Sequence, residues 1–512
     1  MDPAGLTDTT DRLASLTSWH SDWSGLRVGV LGLGKTGFSV ADTLVELGAR
    51  VLVVAQRADD SQVRLVEVIG AGLVLDAVLD AAPPALVDLD PEVLVVSPGF
   101  HPDHPVLLWA AARGIPVWGD VELAWRLRDK VGEPAKWVAI TGTNGKTTTT
   151  QLTATMLVAG GLRAAPCGNI GIPVLDAIRD PQGFDVLVVE LSSYQLHSTF
   201  SMSPHAAVCL NVAEDHLDWH GSFEAYTAAK ARVYTNTKVA CVYNRSDART
   251  IAMVEEAEVI DGARAIGFGL GVPGLSDFGV VDGILCDRAF TEDRRTTALE
   301  ITTVSALAAR GLGAPHTVAN ILAAAALARS FGVPIEAIRA ALDIFELDRH
   351  RIEQVAVADG ITWVNDSKAT NAHAANASLG AFESVVWIVG GLLKGVDIDP
   401  LVEARASKLR AAVLIGVDRE PLRKAFERHA PGVPLFEVGD PETEGVMSAA
   451  VRLAAAAAVP GDVVLLAPAA ASMDQFVDYS DRGERFARAV RDFLGGGAAD
   501  EHDAPPTGHS PS

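Results

Sequence analysis

Thirteen residues, 138–150, read Val-Ala-Ile-Thr-Gly-Thr-Asn-Gly-Lys-Thr-Thr-Thr-Thr. An apolar run enters a loop of small residues that ends in Gly145-Lys146-Thr147. Residue types in that order suit a triphosphate. Small residues let backbone N–H groups turn toward an anion, a lysine neutralises the β- and γ-phosphates, and a threonine hydroxyl holds Mg²⁺. The spacing departs from the common Gly-x-x-x-x-Gly-Lys-Ser/Thr form. Ile140 stands where that form has its first glycine, so the loop is the shorter Thr-Gly-Thr-Asn-Gly-Lys-Thr version. Thr143, Asn144, Gly145, Lys146, Thr147 and Thr148 are its candidate nucleotide-binding residues. A strand at 137–140 and a helix over 147–158 must present it, with the helix's positive end aimed at the phosphates.

Further chemistry-bearing residues fall where apolar runs end. Glu190 closes the run 185–189, a natural position for a Mg²⁺ ligand across from Lys146-Thr147. The run 206–211 leads into Glu214-Asp215-His216. Lys230, inside Tyr226-Thr227-Ala228-Ala229-Lys230-Ala231-Arg232, reads on spacing alone as a solvated helix-face lysine. Near the start, Gly32-Leu33-Gly34-Lys35-Thr36-Gly37 has the form of a dinucleotide turn. The next strand ends Ala55-Gln56-Arg57, without the acid that would hold a ribose diol. Arg57 suits a phosphate or a planar base. The turn therefore expects a phosphate-bearing ligand, NADP being one candidate. Toward the C-terminus Arg351, Lys368 and Lys394 follow apolar runs or sit at a domain edge, a pattern that clamps phosphates or carboxylates.

The elements that must hold these residues are alternating strands and helices. Short Val/Leu-rich runs occur at 27–31, 50–55, 93–97 and 115–118. A second set lies at 137–140, 185–189, 206–211, 239–243 and 265–268, and a third at 362–364, 385–389, 412–415 and 463–466. Strands alternating with helical patterns give parallel sheets, so the expectation is an α/β protein of three domains. These are a Rossmann-like N-terminal domain (1–129), a central P-loop ATPase-like domain (130–347) and a Rossmann-like C-terminal domain (348–494). An acidic, Pro-containing tail (495–512) reads as disordered. The apolar run 321–328 reads as a buried helix.

Composition bounds the partners. Lys+Arg 42 against Asp+Glu 65 leaves a net charge of −23. So acidic a chain lacks the basic footprint of a nucleic-acid binder and is repelled by anionic membranes. No uncharged stretch is long enough to cross a bilayer. The first residues lack the basic flank and apolar core of a signal peptide, and the expected location is cytoplasmic. Cys167, Cys209, Cys241 and Cys286 are scattered without metal-ligand spacing, as expected of core thiols.

Taken together, the runs 32–39, Ser97-Pro98-Gly99, Gly119-Asp120-Val121-Glu122, 141–148, Gly168-Asn169-Ile170-Gly171, 190–196, 211–218, 366–371 and 468–476 resemble the Mur ligases of peptidoglycan synthesis, kin to folylpolyglutamate synthase. The last two runs resemble the D-glutamate-adding branch. The resemblance implies an ATP-dependent amide ligase whose partners are UDP-N-acetylmuramoyl-L-alanine, D-glutamate and ATP, acting as a monomer. It implies that Gly34, Lys35, Thr36, Gly37, Arg57 and Gly99 hold the uridine diphosphate, and that Asn169 and Ser193 contact the muramoyl-alanine portion. Thr147 and Glu190 would hold one Mg²⁺. His216 and a CO₂-carbamylated Lys230 would hold a second, against the solvated reading of that lysine. Asn320, Arg351 and Asp366 would join the loop in binding ATP. Lys368, Thr370, Lys394 and Ser472 would orient D-glutamate, with Tyr479 packed on it. Lys146, His216 and Lys230 would be the catalytic set. Two positions depart from the family pattern: Leu392 stands where an acidic residue is usual, and Tyr479 where phenylalanine is. Two alternatives are a sister ligase taking another amino acid and a nucleotide-sensing scaffold without turnover.

Overall fold

The computed structural model describes residues 11–76, 78–439 and 445–496. Three sheets organise it. The first has strands β1 (Arg27–Leu31), β2 (Arg50–Ala55), β3 (Gly72–Leu75), β4 (Val93–Val96) and β5 (Val117–Gly119), in the order β3-β2-β1-β4-β5, all parallel. The order reverses between β1 and β4, and open α/β sheets bind ligands at such a switch, outside the carboxyl ends of the strands.

The second sheet holds β6 (Lys136–Thr141), β7 (Ala164–Gly168), β8 (Val186–Glu190), β9 (Ala206–Cys209), β10 (Ala240–Asn244), β11 (Arg264–Phe268), β12 (Asp277–Val281), β13 (Ile284–Asp287) and β14 (Leu299–Thr303). Its order is β14-β13-β12-β11-β10-β9-β6-β8-β7. The run from β7 to β12 is parallel, and β13 and β14 add antiparallel. Helices Lys146–Ala159 and Pro315–Arg329 pack on each other beside it. The second is buried over most of its circumference, as the run 321–328 led us to expect.

The third sheet holds β15 (Glu353–Ala358), β16 (Ile361–Asn365), β17 (Val385–Gly390), β18 (Leu409–Ile415), β19 (Leu435–Glu437) and β20 (Val463–Leu466), in the order β15-β16-β20-β17-β18-β19. Only the β15–β16 pair is antiparallel. β17, Val-Val-Trp-Ile-Val-Gly, is apolar throughout because both of its faces are covered. Val385, Trp387 and Val389 face one core with Leu401 and Phe426, while Val386 and Ile388 face another with Val451 and Phe486.

The sequence reading located thirteen of these strands and overlooked β3, β7, β12 to β15 and β19. β7 carries Pro166 and Gly168 and pairs on one side only, so it lacks the β-branched run of a central strand. Helix Tyr479–Gly496 runs two residues into the expected tail. Residues 497–512 lie outside the described residues. Contacts divide the chain into two compact units: 1–212 with 224–345, and 213–223 with 346–512. No helix among the described residues is long and apolar enough to cross a membrane.

Candidate active site

The phosphate loop is built as its residue types require. β6 ends at Thr141, and helix Lys146–Ala159 starts from Gly145 in the left-handed region at φ +85°. A Cβ there would stand 2.5 Å from Asn320 Oδ1, so glycine lets the Asn320 amide lie against the loop. Asn211, two residues past β9, locks the loop from the side. Its carbonyl accepts from Thr143 N at 2.9 Å, its Oδ1 from Asn144 N at 2.9 Å, and its Nδ2 donates to Asn144 O at 3.0 Å. Lys146 Nζ curls back to donate to Gly142 O at 2.8 Å and Thr143 O at 3.0 Å. Thr143 Oγ1 lies 2.9 Å from the Tyr226 hydroxyl. Thr147 and Thr148, in the first helical turn, are buried.

Lys230 corrects the residue-level expectation. It is 2% exposed, not a solvated helix-face residue. Helix Phe223–Ala231 turns it inward, where Nζ donates to Gly142 O at 2.9 Å and stands 4.7 Å from the Tyr226 ring centroid. Spacing missed this because small alanines flank the lysine and hide which helix face is buried.

Glu190 is the last residue of β8 and pairs across the sheet with Ile140 of β6, one strand from the phosphate loop. Asn169 Nδ2 donates to its Oε1 at 2.9 Å, while its buried Oε2 has no hydrogen-bond partner. A buried carboxylate oxygen left in that state is a fitting Mg²⁺ ligand, given the hydroxyl of Thr147 at the nearby helix start. Among the described residues no three His, Cys, Asp or Glu side chains gather into a cage. Ser193 is buried at the start of helix Ser193–His197, which Ser192 caps. Burial pushes the Cys167 and Cys209 thiols up to about 12, and all four cysteines are free and buried, as core thiols should be.

At the first sheet, Gly34 to Gly37 follow β1, Arg57 follows β2 and Gly99 follows β4, all on the carboxyl edge. Gly37 admits no side chain, since a Cβ would lie 2.1 Å from Gly32 O. Lys35, Arg57 and Gly99 are exposed and Thr36 half-buried.

The second unit gathers the remaining candidates. Asp366 follows β16, and Ile352 N donates to its Oδ1 at 3.3 Å. Burial raises its pKa, against the pull of the Ser378 hydroxyl and the Arg351 charge. Lys368 Nζ stands 4.9 Å from the centroid of the Tyr479 ring. Thr370 is half-buried beside it in sequence, and Ser472 is buried. Lys394 Nζ lies 3.3 Å from Asp215 Oδ1, and Asn371 Nδ2 donates to Asp215 Oδ2 at 3.3 Å. His216, at φ +56°, follows in that same short segment, with Nε2 3.7 Å from Asp215 Oδ2. Leu392 has an exposed side chain, and its backbone pairs with Ala471.

Sequence reasoning missed Arg482. It is 0% exposed and holds two loops at once. Nε donates to Ser367 Oγ at 3.0 Å, Nη2 to Ser367 O at 2.9 Å and Nη1 to Ala470 O at 3.1 Å. Ser367 Oγ in turn donates to Tyr479 O at 2.7 Å. Thus one guanidinium ties together the loops that carry Lys368 and Ser472. Burial pulls its pKa down to about 9. An arginine in the first turn of an amphipathic helix gives no sign in sequence that it points inward. Asn211 could have been found as the polar residue ending a buried strand beside the loop.

Comparison with known proteins agrees with this arrangement. Three family models match in order: Mur ligase MurD-like, N-terminal domain (residues 26–119), Mur ligase middle domain (140–328) and Mur ligase, glutamate ligase domain (350–470). A UDP-N-acetylmuramoylalanine–D-glutamate ligase of Leifsonia xyli subsp. xyli is 66% identical over 510 residues, covering 98% of this chain and 99% of that one. One from Streptomyces avermitilis is 52% identical, covering 92% and 99%. Among solved structures, the UDP-N-acetylmuramate-alanine ligase of Thermotoga maritima superposes with TM-score 0.54 at 17% identity, covering 91% of this chain and 100% of that one. A pseudomurein peptide ligase type C from Methanothermus fervidus gives 0.55 at 17% identity, with the same two coverages. These two share the fold. Near-full-length identity of this order, with three family models in sequence, is decisive: the chain belongs to the Mur ligase family.

Proposed function

We propose that this chain joins D-glutamate to UDP-N-acetylmuramoyl-L-alanine at the expense of ATP. The L-alanyl carboxylate oxygen attacks the γ-phosphorus, and ADP leaves. The amine of D-glutamate then attacks the acyl carbon, and phosphate departs as the amide forms and the amine loses a proton. The observation that carries this reading is the phosphate loop beside a buried carboxylate with a free oxygen, in a chain whose 66%-identical relative bears that ligase's name.

The residues then have distinct tasks. Lys146 releases the loop carbonyls and neutralises charge that grows on the transferred phosphoryl. Thr143 to Thr148 and Asn320 hold the triphosphate, with Arg351 and Asp366 assigned to the rest of the nucleotide. Thr147 and Glu190 would hold a Mg²⁺, which would supply charge neutralisation during phosphoryl transfer. Lys230 is read as carbamylated: its neutral amine adds to CO₂ and loses a proton, turning a cation into an oxygen ligand. That assignment, and the pairing of Lys230 with His216 at a second Mg²⁺, rest on the family resemblance. Gly34 to Gly37, Arg57 and Gly99 take the uridine diphosphate, Asn169 and Ser193 the muramoyl-alanine. Lys368, Thr370, Lys394, Ser472 and Tyr479 take D-glutamate. The assigned domains are 1–129, 130–347 and 348–494, in a cytoplasmic monomer.

The test is ADP release with UDP-N-acetylmuramoyl-L-alanine and each amino acid in turn. Release should depend on D-glutamate. Dependence on L-alanine, a diamino acid or a folate would assign a sister ligase. A single stoichiometric burst without turnover would assign a sensor.

A further inference from the structure

The segment Gly119-Asp120-Val121-Glu122 was singled out in sequence and has no task in the chemistry above. It ends the first sheet and meets residues 195–201, in helix Ser193–His197 and the loop after it. Gly119 N donates to Ser198 O at 3.0 Å, and a Cβ on Gly119 would stand 3.2 Å from Ser198 Cβ. The buried Glu122 carboxylate accepts from Phe200 N at 2.8 Å, Ser201 N at 2.9 Å and Ser201 Oγ at 2.7 Å, and from Arg126 Nε at 2.8 Å. Those bonds account for docking. Asp120 does something else. It is 5% exposed, its Oδ1 has no hydrogen-bond partner, and its Oδ2 accepts from Gln195 Nε2 at 3.0 Å, the one side chain among the described residues that bonds it.

Gln195 carries that contact inward. Its Oε1 accepts from Ser192 N at 3.1 Å and Ser192 Oγ at 3.3 Å, closing a capping box. Next to Ser192, Leu191 N donates to Ile140 O at 2.8 Å, and Leu191 O accepts from Thr141 Oγ1 at 2.8 Å. The turn 191–193 thus lies between Glu190, Ser193 and the residue that opens the phosphate loop. A side-chain amide has only one orientation that serves both Ser192 and a carboxylate. Without Asp120, Gln195 Nε2 loses the carboxylate acceptor that anchors the far side of the amide, and Ser192 N alone holds its orientation. Burial pushes Asp120 up to about 6 against the pull of Gln195 and of the Val121 and Asp120 backbone amides, so its buried charge is a cost that docking strength does not explain.

We propose that Asp120 is a positioning residue that, through Gln195, fixes the turn 191–193 and so sets Ser193 and Glu190 relative to the first sheet's ligand edge. This rests on the proposed assignment of those residues to the muramoyl-alanine and metal sites. Misplacement of a reacting group by about 1 Å costs on the order of tenfold to a hundredfold in rate.

The experiment compares full-length wild type, Asp120→Ala, Asp120→Asn, Gln195→Met and Asp120→Ala/Gln195→Met. Read-outs are kcat, KM for each substrate, and calorimetric affinity for UDP-N-acetylmuramoyl-L-alanine without turnover. Asp120→Ala should lose about tenfold or more in kcat/KM for the nucleotide-sugar, with KM for D-glutamate unchanged. Asp120→Asn, which still accepts from Gln195, should stay within about threefold of wild type. Gln195→Met should match Asp120→Ala, and the double variant should lose no more than the worse single. If Asp120→Ala does not fold, Gln195→Met must show the same KM pattern alone. Normal kinetics in Asp120→Ala, equal losses in Asn and Ala, or additive losses in the double variant would overturn the proposal. Wild type without D-glutamate-dependent ADP release would instead refute the assigned function. The calorimetric comparison would still decide whether Asp120 governs the nucleotide-sugar site.

Discussion

Arg482→Met removes one guanidinium and leaves a side chain of similar volume. Three donors vanish, leaving Ser367 Oγ, Ser367 O and Ala470 O without them. Hydrogen bonds to a charged group contribute about 1.5–3 kcal/mol each, so the gross loss is roughly 5–9 kcal/mol. Against this, the variant no longer buries a cation, which is worth several kcal/mol in return. The net expected loss is about 2–4 kcal/mol, felt where residues 346–496 are packed. The functional consequence is more specific. The loops released are those of Lys368 and Ser472, so KM for D-glutamate should rise about tenfold or more while KM for the nucleotide-sugar holds. Arg482→Lys should recover part of the stability and little of the KM, because one ammonium cannot reach three acceptors in fork geometry. Thermal unfolding followed by tryptophan fluorescence, with initial rates across D-glutamate concentration, checks both. An Arg482→Met protein with unchanged Tm and unchanged D-glutamate KM would refute the reasoning.

Further outcomes follow from the central sheet. Lys146→Ala should keep its fold and lose on the order of a hundredfold or more in kcat, measured by ADP release, because the lost charge acts most strongly in the transition state. Lys230→Ala should lose most activity, and small carboxylic acids in the buffer should restore part of it by supplying oxygen ligands. Lys230→Arg should not be rescued, and full activity of Lys230→Ala in CO₂-depleted buffer would remove the carbamate. Asp120 has a folded pKa of about 6 against an ordinary 3.8. The folded state therefore holds the extra proton between those values, and the contribution is present at low pH and lost as pH rises through about 6. Asp120→Asn should accordingly gain Tm relative to wild type at pH 8 more than at pH 4.5, by scanning calorimetry.

Legibility in the sequence followed the strength of local signals. β6, β8 and β17 read clearly because buried parallel strands are unbroken apolar runs. The phosphate loop read clearly because its glycines answer a backbone need visible as φ +85° at Gly145. β12 to β14 did not, since strands of four or five residues with mixed polarity, joined antiparallel, resemble loops. Lys230 was misread from its spacing, because its burial is decided by Tyr226 and Gly142, which tertiary packing brings together. Arg482's bonds to Ser367 and the Asp120–Gln195 contact were invisible for the same reason: each joins residues far apart in the chain.

The central claim is that the muramoyl-alanine carboxylate is activated by phosphorylation. Substrate labelled with ¹⁸O in both carboxylate oxygens tests it directly, with the released phosphate read by mass spectrometry. Because the attacking oxygen stays with phosphorus when the amide forms, each phosphate should carry one ¹⁸O and the product amide the other. Phosphate released with no label during D-glutamate-dependent turnover would contradict the account.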